Sequence, residues 1–143
     1  MPSSRNIALW TGLTAFVAGL LGVFLLMGSS DWGPPGTAAY RFYETRNRLV
    51  PLPLLLVAVG LITLYVRWRD VVGRLGRVAF VIALIGTGLM IIGNVAEFWF
   101  FTEYPYGEIN PRSHAWLIFL LGLLALVVGS LLYGIAVLRR MER

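Results

Sequence analysis

Two polar side chains interrupt the third of four long apolar stretches in this sequence. Asn94 and Glu97 lie three residues apart, so on a helix they share one face. Glu97 is the only acidic residue inside any of the four stretches. A carboxylate in the centre of a bilayer costs ~3 kcal/mol on insertion scales, so a membrane carboxylate is by default a site with a partner.

The basic residues that could pair with Glu97 are expected at the heads of the second and fourth apolar stretches. The predicted polar cluster contains Asn94, Glu97, Arg48, Arg112 and His114, with Arg46 as a further candidate and Arg48 as the favoured partner of Glu97. The first interpretation is a structural ion pair that ties the helix ends together. The alternatives are a binding site for a polar headgroup or small ligand, and a proton relay or catalytic group.

Most other chemistry lacks the residues it needs. The chain contains no cysteine, so disulfides and thiolate metal sites are excluded. It contains one histidine, His114, so a haem held by two histidines is also excluded. No glycine-rich phosphate loop or Ser-His-Asp order is present. We therefore predict no catalytic residue, no metal site and no cofactor.

The composition predicts an all-α membrane protein. Hydrophobic residues make up 58% of the 143 residues and charged residues 13%, a balance unlike that of soluble domains. The four charge-free runs come close to the roughly 20 residues that cross a bilayer as a helix. The predicted spans of this single domain, 1–143, are about 7–29, 49–67, 77–101 and 113–138. Continuous rather than alternating apolar runs exclude a membrane barrel.

The connections between the spans carry their own signals. Thr37 can cap a short interfacial helix over 37–48, in the first outer loop. Pro51 and Pro53 then either open a new helix or kink a continuous one. Asn110 and Pro111 form a capping pair for the start of the last helix.

Arginine distribution predicts the orientation. Eight arginines lie at the two termini and in the 67–77 connection, and four lie in the other two connections. By the positive-inside rule, both termini and the 67–77 connection are cytoplasmic, and the protein is multi-pass in the cell membrane. The net charge of +5 indicates contact with anionic lipid headgroups rather than with nucleic acid.

Short connections between long helices predict an antiparallel four-helix transmembrane bundle, up-down-up-down. For function we favour a non-enzymatic accessory or scaffolding subunit that packs against a larger membrane complex or against further copies of itself. The second hypothesis is a binding or transporter-like unit with a ligand at Asn94 and Glu97. The third is a small lipid-acting membrane enzyme. A polar cavity reaching Glu97 would favour the second hypothesis, and an apolar shared groove the first.

Overall fold

The computed structural model describes residues 17, 22, 34–105 and 109–141, and its elements are helices. They are α1 (Ala38–Asn47), α2 (Pro51–Trp68), α3 (Gly73–Val95), a π-helix that continues α3 (Ala96–Phe100), and α4 (Pro111–Met141). Three helical runs, Ala38–Trp68, Gly73–Phe100 and Pro111–Arg139, are long and apolar enough to cross a membrane. The predicted all-helical architecture is therefore confirmed for the described residues, with three helices that could span a membrane. The predicted span 7–29 lies outside the described residues except at two positions, so the fourth helix of the bundle stays a prediction.

The predicted short helix before the second span is present as α1. Its cap is also as predicted, because the Thr37 hydroxyl accepts a hydrogen bond from the Tyr40 amide at 3.3 Å. At residues 48–50 the hydrogen bonds change from α-helical to the tighter three-residue kind, from Leu49 N to Arg46 O and from Val50 N to Asn47 O. Pro51 and Pro53 supply no amide hydrogens, which explains the interrupted ladder. The prolines thus both interrupt a helical run and open α2.

Helices α3 and α4 pack antiparallel with their backbones in contact. A Cβ atom built on Gly86 would lie 2.4 Å from the backbone nitrogen of Leu126, and one on Gly129 would lie 2.5 Å from that of Ala83. Both distances are too short for any side chain. Small residues permit such close approach, and the contact contributes dispersion attraction that needs no hydrophobic driving force in lipid.

The small residues of this contact follow a seven-residue repeat on both helices. On α3 they are Ala79, Gly86 and Gly93, and on α4 they are Ala115, Gly122, Gly129 and Ala136. A seven-residue repeat on a helix of 3.6 residues per turn keeps one face toward the partner when the pair twists left-handed. We call this contact the glycine seam.

Helix α3 lies at the centre of the described fold. Within its most apolar 18-residue window, 39% of the residues are buried, against 11% for Ala38–Trp68 and 17% for Pro111–Arg139. α2 contacts α3 through Tyr65 among others, which stacks on Phe80 with ring centroids 4.1 Å apart. The Tyr133 hydroxyl of α4 donates to the Leu64 carbonyl of α2 at 3.4 Å. Among the described residues, α2 therefore covers little of α3 and α4, and most of its own apolar surface is left uncovered.

We expect the glycine seam to reject even one added methyl group. Gly86→Ala places that methyl against backbone atoms, and overpacking of this kind typically costs about 1–3 kcal/mol. Gly88→Ala is the matched control, since a Cβ there meets nothing within 4 Å in the described chain. Alanine is also the better helix former, so the control should match or slightly exceed the parent in stability.

Thermal unfolding in a mild detergent, followed by circular dichroism, measures both variants. If Gly86→Ala melted at the parent temperature, close backbone contact would not be what holds α3 to α4.

Candidate functional site

The predicted polar residues gather where α3 ends, next to α1 and the start of α4. The last turn of α3 is a π-turn, closed by a hydrogen bond from the Phe101 amide to the Ala96 carbonyl at 2.9 Å. Two successive side chains of this turn, Glu97 and Phe98, both lie buried. Asn94 is buried one turn earlier. We call this region the helix-end cluster; its members are Tyr40, Glu44, Arg48, Asn94, Glu97, Phe98 and Arg112.

Arg112 is the most deeply buried charged residue described, with 1% of its surface exposed. Its Nη1 donates to the Tyr40 hydroxyl at 3.1 Å and to the carbonyls of Thr102 and Tyr104 at 3.1 and 3.2 Å. Its Nη2 lies 3.5 Å from a carboxylate oxygen of Glu44. The guanidinium therefore joins α1, the 101–105 segment and α4 at one point.

The position of Arg112 follows from the predicted capping pair. The Asn110 side-chain oxygen accepts from the Ser113 amide at 3.1 Å, and α4 begins at Pro111. A cation in the first turn of a helix is opposed by the helix dipole. The oxygens around Arg112 and the charge of Glu44 offset this cost, which explains why the residue can be buried there.

Arg48 lies in the cluster, but its observed contact differs from the predicted one. Its Nε donates to the Phe98 carbonyl at 2.8 Å, and its guanidinium carbon lies 5.9 Å from the centre of the Trp99 ring. A carbonyl in the last turn of a helix has no partner within the helix, so Arg48 caps the end of α3. Arg48 thus contacts the backbone next to Glu97, and a pair with the Glu97 carboxylate remains a prediction.

Aromatic rings surround these polar contacts. Tyr43 meets Phe98 edge to face at 5.7 Å, and Tyr40 lies 6.3 Å from Tyr43. The guanidinium carbon of Arg112 lies 5.7 Å from the Phe98 ring centre. The rings exclude water from the charged groups, so the hydrogen bonds there are stronger than they would be in water.

Glu97 and Asn94 share the buried face that their spacing predicts, each with 3% of its surface exposed. Glu97 takes part in a polar interaction. The side-chain oxygen of Asn94 has no hydrogen-bond partner within the described part of the chain. A buried polar group without a partner calls for an explanation, and a bound ligand is one possible explanation.

His114 does not join the cluster. It is exposed, and its Nδ1 donates to the Asn110 carbonyl at 2.7 Å, a contact within the first turn of α4. Within residues 34–105 and 109–139, no three acidic or histidine side chains come together as metal ligands would. The structure therefore brings together Asn94, Glu97, Arg48 and Arg112 of the predicted set and leaves His114 outside.

The cavity next to α3 lies elsewhere. It has a volume of about 60 Å³ and is lined by Leu61, Leu64, Phe80, Ala83, Ser130 and Tyr133. Ala83 and Asn94 are eleven residues apart on α3, or ~16 Å along the helix. The cavity is thus apolar, lies between α2, α3 and α4, and does not reach Glu97.

Comparison with known proteins gives one short similarity. A stretch of 49 residues is 45% identical to "NADH-ubiquinone oxidoreductase chain 5" of Allomyces macrogynus. The stretch makes up 34% of this chain and 8% of that relative. No protein-family model matches the chain, and no solved structure matches it.

We expect Arg112 and Glu44 to be energetically coupled. Arg112→Met removes every donor at the junction, and losing one member of a well-buried pair costs ~3–5 kcal/mol. Glu44→Gln should cost less, because three neutral oxygens still surround the guanidinium. The double variant should be more stable than the sum of the single losses predicts, by ~1 kcal/mol or more.

A double-mutant cycle of unfolding free energies in detergent measures the coupling, with exposed Glu103→Gln as the control acid. If the unfolding free energy lost in the double variant equalled the sum of the losses in the two single variants, the two side chains would be close in space without being energetically coupled.

Proposed function

We propose that this chain is a non-enzymatic accessory subunit that packs within the membrane against a larger membrane protein. The observation that carries the proposal is a second set of small residues on α4, directed away from the glycine seam. Ser130 and Gly134 lie four residues apart on one face of α4, and both are exposed. A Cβ built on Gly134 meets nothing within 4 Å in the described chain.

Small residues four apart are where membrane helices approach one another closely. The glycine seam shows this use inside the protein, since Gly122 and Gly129 are buried against α3. Ser130 and Gly134 are small as well, but no helix among the described residues covers them. A helix from another protein would fit this surface.

The neighbouring cavity adds to the argument. Ser130 and Tyr133 line it from α4, and Leu61 and Leu64 line it from α2. α2 and α4 therefore leave a gap that large apolar side chains of a partner would fill. Filling such a gap would add dispersion contacts to both helices, and α2 would gain the most because so little of it is buried.

The sequence similarity supports a role as one chain among several, because the relative's name designates a numbered chain of an oxidoreductase. The helix-end cluster supports a structural rather than a catalytic role for the polar residues. Its arginines bind carbonyls, a tyrosine hydroxyl and a carboxylate of the same chain.

The ligand-binding hypothesis has one observation in its favour, the buried Asn94 oxygen without a partner in the described chain. A small polar molecule that accompanies the purified protein and is lost in Asn94→Leu would move that hypothesis to first place.

We also propose the full topology, four spanning helices with both termini and the 67–77 connection on the cytoplasmic side. The described connection agrees in composition, with Arg67, Arg69, Arg74 and Arg77 set against Asp70. The Arg112 junction would then lie at the outer face. Buried there, Arg112 is held by its own chain and needs no headgroup.

The first experiment tests the docking surface. The chain has no native cysteine, so Ser130→Cys carries a benzophenone crosslinker at one defined place. In native membranes we expect an adduct with a larger membrane protein, and Val81→Cys on the exposed face of α3 should give none. Adding Gly134→Leu should abolish the adduct without changing thermal stability, since a Cβ at position 134 meets no described residue within 4 Å.

An adduct of twice the chain mass alone would assign the surface to a second copy of this chain. Equal labelling of lipids from both cysteines, with no protein adduct, would contradict the proposed function.

The second experiment tests orientation with cysteines at two exposed acidic positions, Asp70→Cys and Glu103→Cys. Gly73 lies in the same connection as Asp70 but is not used for labelling, because its φ of +63° favours glycine. An impermeant maleimide should label position 103 in intact cells and position 70 only after permeabilisation. The reverse pattern would overturn the assignment.

A further inference from the structure

Arg48 differs from the other arginine of the helix-end cluster because it is exposed. Its Nε is held by the Phe98 carbonyl at 2.8 Å, so the guanidinium has a fixed direction. Its two Nη groups make no hydrogen bond to the described residues. A guanidinium held at Nε presents its Nη edge as a preorganised pair of donors, the geometry that suits phosphate.

The indole ring of Trp99 lies beside this guanidinium. Trp99 lies 5.9 Å from it and is 59% exposed. Indole rings favour the headgroup level of a bilayer, and their faces attract cations. Trp99 therefore lies beside the Arg48 guanidinium, and an indole at headgroup level would bring that guanidinium to the depth of the lipid phosphates.

Apolar surface continues from this pair along both helices. Leu52 lies in the first turn of α2, four residues after Arg48, and Ile92 lies on α3, seven residues before Trp99. Both are more than half exposed. A lipid whose phosphate contacts Arg48 would find apolar side chains along the path of its acyl chains.

The ion pairs seen among the described residues do not involve Arg48. Glu44 pairs with Arg112, and Glu97 is buried, with 3% of its surface exposed. The exposed side of Arg48 therefore offers a positive charge and fixed donors beside an aromatic ring.

We infer that Arg48 and Trp99 form a binding site for the phosphate of an anionic phospholipid headgroup. The site is independent of the proposed partner surface, which lies on α4 around Ser130 and Gly134. Anionic rather than zwitterionic lipid is expected, because a choline group would bring a second cation close to the guanidinium.

Delipidated protein in a neutral detergent, titrated with dioleoylphosphatidylglycerol or dioleoylphosphatidylcholine and analysed by native mass spectrometry, tests the inference. We expect one tightly bound phosphatidylglycerol and no tightly bound phosphatidylcholine. Arg48→Gln should weaken the first binding roughly ten-fold or more, the usual effect of losing charge-assisted hydrogen bonds. Arg41→Gln is the matched control, an exposed arginine on the neighbouring helix.

Arg48→Gln also removes the cap on Phe98, so a second variant separates binding from stability. Trp99→Leu leaves that hydrogen bond in place and should weaken phosphatidylglycerol binding roughly three-fold at unchanged melting temperature. Equal retention of the two lipids would overturn the inference. So would equal losses in the Arg41 and Arg48 variants, or displacement of the lipid by millimolar inorganic phosphate, which would make free phosphate the ligand.

Discussion

Direct backbone contact between α3 and α4 is the constraint on which the other parts of the structure depend. Because glycine and alanine line both sides of the seam, no side chain there can be repacked to accommodate a change, and the positions of the small residues set the register of the two helices. That register sets Gly93 against Ala115 and so brings the start of α4 beside the end of α3. The junction at Arg112 forms where this geometry places it, with α1 completing it from the side.

The end of α3 shows how a membrane protein can use arginines without an aqueous site. Backbone carbonyls at a helix end carry partial negative charge and lack partners. Arg48 satisfies one of them, and Arg112 satisfies two in the following segment. Because Glu44 neutralises Arg112, the more buried arginine is fully committed to the fold. Arg48, which is exposed, keeps Nη donors that bind no described residue. Arg112 is therefore a structural group, whereas Arg48 is a candidate lipid site.

Sequence patterns were most informative where the local chemistry is decisive. Charge-free runs indicated α2, α3 and α4, and short-range capping chemistry identified Thr37 and the Asn110-Pro111 pair. The grouping of Arg48 and Arg112 near Asn94 was also predictable, since all lie at helix ends on one side. The acceptors of the two arginines were not, because most are backbone carbonyls, which every residue carries. A sequence also does not indicate the π-turn in which Glu97 and Phe98 lie buried. It does not indicate that the His114 ring hydrogen-bonds to the Asn110 carbonyl in the first turn of its own helix.

The order of the residues along the chain also determines when Arg112 and the groups that contact it are synthesised. The Tyr40 hydroxyl, the Glu44 carboxylate and the carbonyls of Thr102 and Tyr104, which contact the Arg112 guanidinium, all come from residues that leave the ribosome before Arg112 does. Synthesis proceeds from the N-terminus, so the acceptors can already be in place when the arginine emerges. The unpaired guanidinium then exists only briefly in an apolar setting. Because Glu44 lies on α1, the carboxylate that compensates the buried charge of Arg112 is already part of the chain when Arg112 is added.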